Sequence, residues 1–101
     1  MTRQFVIRDE VGTDLSSRHT AAALRREVLS AAALGSVTLD LEGVRTLSDS
    51  FADELFAVIV ASKGEDWFKR SIRVTGMAPQ VRRSILEAVR DRLNSQATPS
   101  P

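Results

Sequence analysis

The chain has 101 residues, 14 lysines and arginines against 13 aspartates and glutamates, one histidine and no cysteine. This length fits one domain around a single modest core. The balanced charge lacks the basic excess that nucleic-acid binders use against phosphates, and one imidazole without a thiol leaves no nitrogen or sulfur set for zinc or haem. No metal and no cofactor are therefore expected. The opening MTRQFVIRDE carries charge where a signal peptide is apolar. The longest apolar run, Leu55 to Ala61, falls far short of the ~20 residues that span a bilayer. The expectation is a cytoplasmic protein that binds neither nucleic acid nor membrane.

Phe5, Val6 and Ile7 begin a strand that a turn at Gly12-Thr13-Asp14 ends. Arg8-Asp9-Glu10 interrupts its alternation, so one strand and a tight hairpin both fit. Ser16 and Ser17 are candidate caps for a helix over 18–34, in which Ala21, Leu24, Val28 and Ala31 recur on one face before Gly35. Val37-Thr38-Leu39-Asp40-Leu41 alternates like a central strand. A second helix is predicted over 50–62, stopped at Lys63-Gly64. Trp67-Phe68 falls in the connection that follows, as a core anchor or a partner contact. Ile72-Arg73-Val74 is a short strand, and Pro79 starts a last helix with Val81, Ile85, Ala88, Val89 and Leu93 on one face. Residues 1–94 thus form the domain, and 95–101 carry too little apolar material to pack and read as a disordered tail. The order β-α-β-α-β-α predicts an α/β fold, a mostly parallel sheet flanked by three main helices, with the N-terminal hairpin left open.

The densest chemical signal lies between the central strand and the second helix, at Ser48-Asp49-Ser50-Phe51-Ala52-Asp53-Glu54. Ser50 and Asp53 have capping-box spacing, so the Ser50 hydroxyl has a structural use in satisfying an orphaned backbone N–H. The functional alternative is that a hydroxyl there meets free N–H donors and the positive helix end, where a phosphoryl group is favoured. Asp53 and Glu54 are adjacent, and adjacent helix positions diverge by ~100°, so they read as helix-start charges rather than as an acid–base pair. Asp40, at the end of its strand, reads as an acceptor for loop N–H groups. Along the second helix the apolar residues sweep roughly 200°, wider than one sheet requires. Phe56 and Val60 are therefore expected either against a neighbouring helix or on a contact surface.

Residues Val37 to Ile59 resemble the core of a STAS domain, the module of anti-sigma-factor antagonists and sulfate-transporter tails. In that family a strand, a loop, an Asp-Ser-Ser-Gly motif and a helix follow one another. Aligned without a gap, Ser48 takes the place of the family's aspartate, Asp49 of its first serine and Ser50 of the serine phosphorylated in the antagonists. Phe51 stands where the family has glycine, and Asp53-Glu54 adds two carboxylates. Ser-Phe-Ala-Asp-Glu-Leu is more similar to the divergent bacterial STAS-like group of unassigned function.

What the resemblance implies is a non-catalytic regulatory module that binds another protein. Ser50 is its phospho-acceptor candidate, an ATPase-type serine kinase is the expected partner, and the docking edge is drawn from Ser48, Asp49, Phe51, Asp53, Glu54, Phe56 and Val60. The alternative from another class is a small-ligand-binding protein or minor enzyme using Asp40, Asp49, Asp53 and Glu54. A homodimer through Phe56 and Val60 is a third reading.

Overall fold

A computed structural model describes residues 1–97. In chain order its elements are β1 (Thr2–Val6), α1 (Ile7–Glu10), β2 (Asp14–Leu15), α2 (Arg18–Ala32), β3 (Ser36–Asp40), β4 (Thr46–Leu47), α3 (49–63), α4 (Glu65–Ser71), β5 (Ile72–Thr75) and α5 (Pro79–Ala97). Alternating Val37 and Leu39 make β3 the central strand, parallel to β1 on one side and β5 on the other. The register sets Phe5 beside Leu39 and Leu39 beside Val74, while Val37 faces Ile72. Phe5, Val37, Leu39 and Ile72 are buried, and the row Gln4–Thr38–Arg73, one residue along, belongs to the opposite, more open face.

The N-terminal hairpin does not form. Arg8-Asp9-Glu10 breaks the strand because these residues enter the short turn of α1. β2 then pairs in parallel with β4, Asp14 opposite Thr46 and Leu15 opposite Leu47. Ser17 is the cap of α2, its Oγ accepting from Thr20 N at 3.1 Å. Gly35 follows where the chain start passes so close that a Cβ would lie 2.0 Å from the Met1 carbonyl oxygen, which accepts from Ser36 N.

The second predicted helix is α3, α-helical at Asp49–Ala52, π-helical at Asp53–Ala57 and α-helical again at Val58–Lys63. It is the middle helix, with α2 and α5 packed on it. Its wide apolar arc is thereby accounted for: Phe51, Phe56 and Val60 are buried within the chain at 0%, 1% and 6% exposure. This corrects their expected place on a partner or dimer surface, because neighbouring helices cover what the sheet does not. Trp67 and Phe68 lie in α4, half-buried, with the Phe68 ring 6.4 Å from that of Phe56. Helix α5 runs on to Ala97, three residues into the stretch expected to be tail, and the rest of that stretch lies outside the described residues. Among the described residues no helix is long and apolar enough to cross a membrane.

Candidate functional site

Two serines bracket Asp49, and the backbone selects the first as the cap of α3. Ser48 is extended, with φ −68° and ψ 159°, and its Oγ accepts from Phe51 N at 3.1 Å. The same hydroxyl donates to the Ser16 carbonyl at 3.2 Å, which ties the start of α3 to the segment before α2. Ser50 therefore lies inside the first turn and is not the cap its spacing to Asp53 predicts. The physical reason is that the chain is already helical from Asp49, with the extended Ser48 before it offering its Oγ to Phe51 N. Ser50 is half-buried, and its hydroxyl makes no hydrogen bond among the described residues.

Ser50 opens onto a cleft of about 260 Å³ whose charged lining is Arg18, Asp49, Asp53, Glu87 and Asp91. Asp49 is exposed at the helix start, where a carboxylate complements the positive end of the peptide dipoles.

Behind the cleft stands an ion-pair brace. A π turn offsets the helical ladder by one residue, as in the Val58 N to Asp53 O bond. The neighbouring Glu54 carbonyl accepts from Arg25 Nη1 at 2.6 Å, so a backbone acceptor within the irregular turn is satisfied from α2. Arg25 also pairs with the Glu54 carboxylate. Asp53 takes a two-pronged bond from Arg92 of α5, Nε to Oδ1 and Nη2 to Oδ2, both at 2.7 Å. Arg18 Nη1 reaches both acids, 3.2 Å from Asp53 and 2.7 Å from Glu54. Adjacent carboxylates that diverge along a helix thus converge on one long guanidinium.

The electrostatics follow from these bonds. The Arg92 bond holds the Asp53 carboxyl below its ordinary range, opposed next by burial, with Arg18 adding a further lowering. Arg25, then Arg18, does the same for Glu54. Glu54 raises Arg18 first and Asp53 second, and Arg92 is raised by Asp53. Asp53 and Glu54 are therefore ionised, spoken-for groups, poor candidates for a general acid or base.

The other sequence candidates lie apart from this cluster. Asp40 Oδ1 accepts from Glu42 N at 2.9 Å, the strand-end role expected of it, so the four acids of the ligand-binding alternative are not brought together. Arg45 pairs with Asp14 at 2.7 Å, and Asp14 is lowered chiefly by its Thr46 hydroxyl bond and then by Arg45. Among the described residues, no group of three or more His, Cys, Asp or Glu is placed to hold a metal ion. Arg25, Glu87, Asp91 and Arg92 were not singled out for this site by sequence. The two-turn spacing of Arg18 and Arg25 on one helix face is a signal that finds Arg25, whereas Glu87, Asp91 and Arg92 arrive only through packing.

A family model described as a STAS-like domain of unknown function (DUF4325) matches residues 20–82, more than half of the chain and all of β3, the loop and α3. No curated protein and no solved structure matches.

Proposed function

Because the chain belongs to the family of STAS-like domains of unknown function, we propose that it is a non-catalytic regulatory module that docks a protein partner at the start of α3 and is switched by phosphorylation of Ser50. The observation that carries this reading is the division of labour between two serines. Ser48 does the capping, so the Ser50 hydroxyl is left without a bond among the described residues, at the mouth of an open cleft. A structural serine is a poor switch, since modifying it costs the helix its cap. Ser50 has no such duty.

Charge decides whether a phosphoryl group is tolerated there. It brings about −1.5 to −2 charges to a lining of four carboxylates and one guanidinium. Arg18 is the available counter-ion, half-exposed and shared between two acids that each retain another arginine. Turning Arg18 to the phosphate leaves Asp53 on Arg92 and Glu54 on Arg25, so the fold survives the exchange. The docking edge changes in charge and shape in one step, and the ATP-dependent serine kinase implied by the STAS resemblance supplies the driving force.

The test is phosphosite mapping by mass spectrometry on the protein purified from its native cells, wild type beside Ser50→Ala. The expected result is phosphate on Ser50 in wild type and none in the variant. Phosphate found only on other residues, or on none, contradicts the switch.

A further inference from the structure

On the far side of α5 from the Ser50 cleft, a groove of about 350 Å³ runs between α4, β5 and α5. Phe68, Val74, Met77 and Leu86 form its apolar wall, and Lys69 and Arg82 stand at its rim. Leu86 is 57% exposed and stands beside the other apolar residues of this wall, so it extends a contiguous apolar surface. Along α5 the groove continues into a larger, more open one of about 550 Å³ to which Arg83 and Arg90 contribute, with Glu87, which also lines the Ser50 cleft, as its one acid. Among the described residues none of Lys69, Arg82, Arg83 and Arg90 forms an ion pair, whereas Arg18, Arg25 and Arg92 of the brace all do. Strand β5 borders the groove and pairs only with β3, so its second edge has no strand partner among the described residues.

We propose that this groove is a second docking surface, independent of Ser50, for an acidic segment of a partner protein that carries large apolar side chains. Charge complementarity selects the occupant: two unpaired cations, Lys69 and Arg82, stand at the apolar groove and two more, Arg83 and Arg90, line its continuation along α5, so the occupant's rim groups are Asp or Glu and its anchors are leucine- or phenylalanine-like. The apolar surface is concave, which suits an inserted side chain and gives a flat bilayer nothing to bury. A nucleic acid would use the cations and leave the groove unfilled.

The experiment selects a displayed random-peptide library on the full chain and measures the enriched peptides by fluorescence anisotropy against three proteins. These are wild type, Leu86→Asp and the charge-reversed Arg82→Glu/Arg83→Glu, all altered at exposed positions and checked for an unchanged unfolding midpoint. Enriched peptides are expected to combine acidic with large apolar residues and to lose roughly tenfold or more in affinity for Leu86→Asp. Binding to the charge-reversed protein is expected to fall and to return when the peptide's acids are exchanged for lysine. Enrichment of basic or uncharged peptides, binding indifferent to either variant, or no enrichment at all overturns the proposal. Two controls also overturn it: binding of wild type, but not the charge-reversed protein, to anionic vesicles or single-stranded RNA in preference to the peptides, or a wild-type dimer that Leu86→Asp dissolves.

Discussion

Ser48 and Ser50 differ by two positions and by everything that matters for function. Removing the Ser48 hydroxyl leaves Phe51 N without its acceptor, and Ser48→Ala is expected to cost about 1 kcal/mol in urea unfolding. Ser50→Ala is expected to stay within about 0.5 kcal/mol of wild type, since no hydrogen bond is lost. Equal losses for the two would mean that Ser50 shares the cap. Sequence alone does not separate them, because both precede the helix by cap-like spacing and Asp53 makes Ser50 the better capping-box match. What decides is the extended backbone of Ser48, whose Oγ takes the Phe51 N–H and is itself tied to the Ser16 carbonyl thirty-two residues away, and no local pattern encodes that tie. Phe56 teaches the same lesson about breadth of burial. Its ring is 1% exposed beside Phe68, and Phe56→Ala is expected to lose about 3–5 kcal/mol, measured as a fall in denaturation midpoint at constant slope.

At the scale of elements, α3 is held by α2 and α5 through the two acids of its π turn. Arg92→Ala leaves Asp53 with Arg18 alone. The pair is partly exposed, with Arg92 at 33% and Asp53 at 21%, so the loss is about 1–2 kcal/mol rather than that of a fully buried pair. The brace also sets the acid response. Both carboxyls have folded pKa values below their unfolded ones, so between the two values the unfolded chain binds more protons. Their contribution is complete above the unfolded carboxylate values of about 4 and is lost as pH falls below them, through the folded values. Asp53→Asn/Glu54→Gln is expected to be less stable at neutral pH and to show a shallower loss of stability below about pH 4. A double variant with the wild-type acid slope would place the titrating groups elsewhere. The strand and the three long helices were legible because their periodicities repeat over many residues. The π turn, the two-residue strands β2 and β4, and short α4 carry too few positions to leave a period.

For the whole molecule, the STAS-like family gives the scaffold, while the site is built from this chain's own residues. One layer of helices covers one face of a three-stranded parallel sheet, and α3, packed between α2 and α5, brings its first turn to an open cleft with the Ser50 hydroxyl uncommitted. Docking at that turn, gated at Ser50, is tested most directly by placing a photo-crosslinking amino acid at exposed Asp49 in native cells, once on the wild-type background and once with Ser50→Asp. A discrete protein adduct is expected on the first background and is strongly reduced on the second, with both chains equally abundant and folded. An adduct of equal yield on both backgrounds, or no adduct on either, would contradict it.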